Sequence, residues 1–351
     1  MKQIQNLRIQ HVSHLPPPGQ ISNELKADEA TRHQILSWRE QIEAIIKRRD
    51  SRILGIVGPC SIHDEEGAYA YARKLKMLSD VVSDRMLLVM RAYFEKPRTV
   101  LGWRGLILDP HLDGSYDIEY GIRLARKILL TITREGVPVG TEMLDPIIPQ
   151  YIDDLVSWSA IGARTTESQV HRNLASGLSV PVGFKNSTSG DLKHAVNAIK
   201  SAGSPASFIG IDNDGTSAIF RTTGNEMCHL IMRGGASGPN YYEEDVESAV
   251  ELMEQAELTP SVMIDCSHGN SSKRWSRQHR VLRSVVDQIR WGNRWISGYM
   301  VESYLEEGRQ DIRHASPLKF GVSVTDGCIG WEETERIIRK AHADLVREEE
   351  E

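Results

Sequence analysis

Long apolar runs are missing from this sequence: none approaches the ~20 residues needed to cross a bilayer. The opening Met1-Lys2-Gln3-Ile4-Gln5-Asn6 has no apolar core of the kind a secretion signal carries. Cysteine is scarce, with four residues in 351 (Cys60, Cys228, Cys266, Cys328), too few for a disulfide scaffold. Positive charge is not in excess either. The 42 Lys and Arg against 48 Asp and Glu leave a net charge of -6, which argues against nucleic acid or an anionic membrane as the main partner. These absences leave a reduced, cytoplasmic, globular protein as the expectation.

What is present is an alternation. Short apolar runs recur at 53–57, 87–90, 137–140, 160–163, 182–184, 229–232, 262–264 and 296–301, separated by helix-like stretches. Strands that are apolar throughout are buried on both faces, as in a parallel sheet covered by helices. Eight such units over some 250–300 residues fit a closed (β/α)8 barrel of the TIM type better than an open sheet. One segment departs from the alternation. Ser207–Ile211 and Ser217–Phe220 flank Asp212-Asn213-Asp214-Gly215 and read as a β-hairpin. This insertion, about residues 205–224, is placed between the fifth and sixth barrel strands.

Before the barrel, residues 1–28 are polar with Pro16-Pro17-Pro18 in the middle and read as an extended arm. Residues 29–49 follow a helical period through Ile35, Leu36, Ile42, Ile45 and Ile46. The expected organisation is therefore an arm and helix over 1–49, serving regulation or oligomerisation, and a catalytic barrel over 50–351. Glu348–Glu351 is a solvated tail.

In such a barrel the site lies at the C-terminal ends of the strands. The residues closing the runs are Cys60, Arg91, Glu142, Arg164, Lys185, Arg233, Asp265 with His268, and Glu302. Arg91, Arg164, Arg233 and Lys185 facing one mouth would repel each other without an anionic ligand, and arginine suits carboxylate and phosphate oxygens. A small polyanionic substrate follows. Cys60, His268, Glu302 and Asp326 would together offer thiolate, imidazole and two carboxylates, a set suited to Mn, Fe, Co or Zn rather than to Mg alone. His63, His171, Cys228 and Cys266 read as structural. The glycine-rich 234–238 stretch lacks the lysine and hydroxyl of a P-loop.

Several longer strings carry a resemblance. Gly58-Pro59-Cys60-Ser61-Ile62-His63-Asp64, Arg91 to Thr99 (RAYFEKPRT), Gly162 to Gln169 (GARTTESQ), Gly183-Phe184-Lys185-Asn186, Ile264 to Ser271 (IDCSHGNS) and Ser323-Val324-Thr325-Asp326 occur in colinear order. Over residues 50–340 the sequence resembles the class I, α-type, aromatic-amino-acid-regulated 3-deoxy-D-arabino-heptulosonate-7-phosphate (DAHP) synthases. The resemblance implies a metal-dependent, aldol-like condensation of phosphoenolpyruvate with D-erythrose 4-phosphate, the first step of the shikimate pathway. It implies metal ligation by Cys60, His268, Glu302 and Asp326. It implies a phosphoenolpyruvate site of Arg91, Lys96, Glu142, Ala163, Arg164, Lys185 and Arg233, and an erythrose 4-phosphate site of Pro97, Arg98 and Thr99. Lys96, with His268 and Asp326, would carry the chemistry. Lys96 acts there either as a proton donor to the aldehyde oxygen or purely electrostatically. A lysine among cations is expected to have a lowered pKa.

The resemblance further implies a homodimer or homotetramer and an aromatic amino acid effector on a surface that includes Asn6, Gln150, Ser179, Phe208 and Gly210. Asn6 and Gly210 lean toward tyrosine. A vacated Cys60 thiolate is expected to oxidise readily, with Cys328 as its partner. Two rivals remain. One is a barrel condensing arabinose 5-phosphate instead, against which Lys96-Pro97-Arg98-Thr99 speaks. The other is a silent barrel kept as an effector-binding partner, against which the intact ligand positions speak.

Overall fold

In the computed structural model, residues 4–98, 102–312 and 317–346 are described. Eight strands close into a parallel barrel: β1 (Ile53–Gly58), β2 (Met86–Arg91), β3 (Val139–Glu142), β4 (Trp158–Ile161), β5 (Val182–Lys185), β8 (Cys228–Met232), β9 (Val262–Asp265) and β10 (Ile296–Glu302), with β6 (Ser207–Ile211) and β7 (Ser217–Arg221) outside it. Each apolar run of the sequence falls on one barrel strand, with the runs at 137–140 and 160–163 offset by two residues from β3 and β4. Every residue of the eight is buried, because the interior lies on one face and a helix layer on the other.

The interior is filled by side chains. Leu54, Ile56, Leu87, Val89, Trp158, Ile231, Met263 and Met300 form one cluster. Trp158 is a member of this cluster, and glycines on the neighbouring strands admit it. A Cβ at Gly140 or Gly183 would lie 2.9 Å from an indole atom. The floor is closed by α2 (Glu29–Ile46), whose Ile42, Ile45 and Ile46 join this cluster. Ile42, Ile45 and Ile46 of the stripe read at 29–49 therefore serve the barrel itself, whereas Leu36 is exposed. Asp28 starts α2 by accepting the Thr31 N–H at 2.8 Å.

The arm is not extended throughout. Pro18–Glu24 forms a short helix, α1. Proline at the first helical position supplies a fitting φ and loses no hydrogen bond. The turn is then held from outside: Tyr151 Oη donates to Pro16 O (2.9 Å), Gly19 N to Asn213 O (2.8 Å) and Arg123 Nε to Glu24 (2.8 Å). A proline cluster read alone signals only a break, and this packing decides that a helix follows it.

β6 and β7 pair antiparallel, Phe208 opposite Phe220 and Ile209 opposite Ile219. The turn closes through Gly215 at φ +75°, a conformation that favours glycine. The two phenylalanine rings stack, with centroids 5.3 Å apart. Ile209 and Ile219 point outward, 82% and 73% exposed.

Candidate active site and metal centre

Parallel strands deliver their last residues to one mouth. Arg91, Glu142, Lys185, Asp265 and Glu302 each end a strand, and Cys60, Arg164, Arg233 and His268 follow within three residues. Cys60, Glu302 and Asp326 offer ligand atoms within 4.8 Å of one another. His268 stands beside this group rather than in it. Its Nε2 is 3.7 Å from Glu302 Oε1, while its Nδ1 faces Asp265 Oδ2 at 3.0 Å. Sulfur and carboxylate oxygens with an imidazole alongside fit a first-row divalent ion.

The electrostatics are set by pairing in a buried place. Glu302 accepts from Arg91 Nη2 (3.1 Å) and from Ser267 Oγ (2.8 Å). Burial alone would raise its pKa, but His268, Arg91 and Lys96 hold it down at about 2. The Cys60 thiol is pushed up by burial and by Glu302 and Asp326, with Lys96 opposing. The Cys328 thiol is likewise raised by burial and by Glu302. Both shifts act toward the thiol.

Lys96 corrects another expectation. Its Nζ donates to both Cys60 O and Cys60 Sγ at 3.1 Å. Burial pushes its pKa down, yet Cys60, Glu302, Glu142 and Asp326 outweigh burial and hold it above the ordinary value. The carboxylates of Glu302, Glu142 and Asp326 stand near it, although the sequence grouped it with arginines.

A cavity of about 390 Å³ is lined by Lys96, Pro97, Arg98, Glu142, Ala163, Arg164, Lys185, Arg233, His268 and Asp326, among others. It adjoins a wider cleft onto which Arg98, Arg104 and Arg309 face. Lys185 Nζ pairs with Asp265 Oδ2 at 3.0 Å. Glu142 is buried, and its Oε1 has no hydrogen-bond partner. A Cβ at position 162 would overlap that carboxylate, so Gly162 makes room for it. Arg91 differs from the expected arrangement. It lies fully buried and off the cavity wall, because it pairs with Glu302 and stacks 4.1 Å over Tyr93. Thr99 lies outside the described residues.

Of the residues expected at an effector surface, Phe208 is half-buried against Phe220 and Gly210 sits on the same strand. Gln150 belongs to the short helix Pro149–Ile152, and Ser179 is exposed ahead of β5. Asn6 lies on the exposed arm with Ile4, Leu7 and Ile9 uncovered. Cys228 and Cys266 are buried, and His171 is held between Ser168 Oγ (2.9 Å) and Leu144 O (2.7 Å).

Two residues were given no role from the sequence. Asp265 is the fully buried hub between Lys185 and His268, and its position at a strand end was the available signal. Glu95 is buried with Asp145 N–H 3.4 Å from its Oε2, and burial together with the Asp145 charge pushes its pKa up to about 8. A carboxyl with a raised folded pKa is protonated in the folded state and ionised in the unfolded one between about pH 4.5 and 8. Stability due to Glu95 is therefore present below that window and lost as pH rises through it. Glu95→Gln removes this titration. Its Tm relative to the parent should climb from about pH 5 to about pH 8 and level off above that, and a pH-independent difference would refute the assignment.

Comparison with known proteins agrees with the resemblance. The family model described as DAHP synthetase I family matches residues 25–339. The chain is 52% identical over 343 residues to the Tyr-sensitive phospho-2-dehydro-3-deoxyheptonate aldolase of Escherichia coli K12, covering 97% of this chain and 96% of that one. It is 49% identical over 335 residues to the Phe-sensitive enzyme of the same organism, covering 95% of each. The solved structure of the Francisella tularensis SCHU S4 phospho-2-dehydro-3-deoxyheptonate aldolase superposes with a TM-score of 0.94 at 46% identity, covering 96% of this chain and 98% of that one.

Proposed function

From the premise that the chain belongs to the DAHP synthetase I family and is a DAHP synthase, the first enzyme of the shikimate pathway, we propose how its barrel mouth performs the condensation. The observation that carries the reading is the convergence of Lys96, Arg98, Arg164, Lys185 and Arg233 on one small cavity beside Cys60, Glu302 and Asp326. Arg164, Lys185 and Arg233 hold the phosphate of phosphoenolpyruvate. Pro97 and Arg98, with Thr99, hold erythrose 4-phosphate, its phosphate on Arg98.

Cys60, His268, Glu302 and Asp326 would hold a divalent ion (Mn, Fe, Co or Zn), which would act as a Lewis acid toward the aldehyde oxygen. The methylene carbon of phosphoenolpyruvate forms the new C–C bond to the aldehyde carbon. Lys96, kept protonated by its anionic neighbours, gives its proton to the aldehyde oxygen as charge develops there. Water adds to the cationic carbon left behind, and its proton passes to the unpartnered Glu142 Oε1. Cleavage of the C–O bond then releases inorganic phosphate and leaves the keto product. Arg91, under the mouth, keeps Glu302 ionised and in place.

A phosphate-release assay across an aldehyde panel tests this. Erythrose 4-phosphate should support turnover, chelation should abolish it, and Mn, Fe or Co should restore it. Comparable turnover with arabinose 5-phosphate would overturn the four-carbon assignment.

The same family reading extends to regulation. Residues 1–49 form the regulatory and oligomerising extension of a homodimer or homotetramer, with α2 also closing the barrel floor, and the barrel over 50–351 is catalytic. The exposed apolar side chains of the arm and of Ile209 and Ile219 suit a subunit contact. The effector is an aromatic amino acid, with tyrosine preferred, and it acts by binding better to a conformation whose active site is impaired. Since α1 is packed on the body of the chain, the clean truncation removes residues 1–15. It should raise the half-inhibitory tyrosine concentration at least ~10-fold while leaving kcat unchanged. Equal inhibition of both forms would confine the arm to a structural role. Among the described residues no helix is long and apolar enough to cross a membrane, and four free cysteines suit the cytoplasm.

A further inference from the structure

The two carboxylates of the metal centre reach it by different routes. Glu302 ends β10, whereas Asp326 stands on an exposed stretch of a later loop. That loop is tied down on both sides: Thr325 Oγ1 meets Ser61 Oγ at 2.7 Å, and Ile329 N donates to Glu302 O at 3.1 Å. Between these ties Cys328 Sγ donates to Asp326 O at 3.7 Å, a weak sulfur contact.

A third segment covers this stretch. After His268 the chain doubles back through left-handed residues at His268, Ser272 and Lys273 (φ +55°, +53° and +59°), with Lys273 N donating to His268 O at 2.7 Å. It then enters a single 3-10 turn, Trp275–Arg277, that leads into the helix Gln278–Arg290. Residues three apart in such a turn share one face. From that face the Gln278 amide grips both backbone groups of Glu302. Nε2 donates to Glu302 O and Oε1 accepts Glu302 N–H, each at 2.8 Å, and the side chain is fully buried. Trp275 reaches the residue that follows the other ligand, Gly327. Its ring lies so close over Gly327 that a Cβ there would overlap it. Its Nε1 donates to Glu307 Oε1 at 2.9 Å, on the loop after β10.

We propose that Trp275 and Gln278 are positioning residues that set the separation of the Glu302 and Asp326 carboxylates and thereby the affinity for the divalent ion. Gln278 fixes the backbone from which Glu302 projects. Trp275 presses Gly327 against the mouth, so that Asp326 is held rather than sampling solvent. Side chains that orient ligands in this way typically affect metal affinity ~10–100-fold when removed. The inference rests on reading Cys60, His268, Glu302 and Asp326 as the ligands.

The test is a calorimetric titration of Mn²⁺ into the chelator-stripped full-length chain. Trp275→Ala should weaken Mn²⁺ at least ~10-fold. Gly327→Ala should do the same from the other side of the contact, by displacing the ring. Trp275→Phe keeps a ring over Gly327 and should retain most of the affinity. Thermal unfolding of the stripped proteins separates this from loss of fold, because Trp275 is only half-buried and its variants should unfold near the parent temperature. Gln278→Ala, in a fully buried place, is read only alongside these. Wild-type affinity in both Trp275→Ala and Gly327→Ala would overturn the proposal. Cys60→Ala is the control: if it too binds Mn²⁺ like the parent, the ligand assignment has failed. If only Cys60→Ala loses the ion, the ligand assignment stands and the positioning role falls.

Discussion

Cys60→Ala is expected to leave a folded barrel that binds no divalent ion tightly and releases phosphate on the order of 1,000-fold more slowly. The thiol is fully buried and its ligand atom lies within 4.8 Å of those of Glu302 and Asp326. Its loss removes the one sulfur donor from the set, and Lewis-acid assistance is worth several kcal/mol of transition-state stabilisation. The fold should survive, because alanine deletes one atom and Lys96 keeps its bond to the residue 60 carbonyl at 3.1 Å. Metal content after dialysis, with steady-state phosphate release, reads both effects. A variant with parental turnover would remove Cys60 from the metal centre.

Asp265→Asn should be the most damaging substitution of equal shape. Asp265 is fully buried, accepts Ser267 N–H at 3.0 Å, pairs with Lys185 at 3.0 Å and faces His268 Nδ1 at 3.0 Å. Burial alone would raise its pKa, but Lys185, His268 and Arg91 hold the carboxyl well below the ordinary range. Asparagine can keep the Ser267 bond but cannot balance the Lys185 charge. Breaking a buried pair in this way costs about 3–5 kcal/mol.

The pH dependence follows from the sign of the shift. A depressed folded pKa contributes stability above the unfolded value near 3.8 and loses it as pH falls through the folded value. The Tm gap between parent and Asp265→Asn should therefore be full at pH 7 and narrow below about pH 4. Because Lys185 lines the cavity, KM for phosphoenolpyruvate should rise in the same variant. An unchanged Tm and KM would mean that the pair contributes nothing.

The barrel was legible because its strands are buried on both faces, which forces runs such as Ile53–Val57 and Val262–Ile264 to be apolar throughout. The mouth was legible because parallel strands end together, so Arg91, Glu142, Lys185 and Asp265 could be read as one set from their positions alone. The hairpin declared itself through two short runs flanking Asp212-Asn213-Asp214-Gly215, a turn containing glycine.

Other features had no local sign. Whether Pro16–Pro18 ends an arm or begins α1 depends on Tyr151 and Asn213, which are distant in sequence. Gln278 and Trp275 look like any residues at a helix start, and only the approach of Glu302 and Gly327 gives them a task. The sign of the Lys96 shift was misjudged for the same reason. Sequence by itself determined which charged groups share the mouth and how the strands order them. Tertiary structure alone decided which of them touch: Lys96 with Cys60, Arg91 with Glu302 beneath the cavity wall, and Lys185 with Asp265. The energy of a charge pair depends on separation and on burial. Both are set by side-chain packing across strands, which no local pattern in the chain encodes.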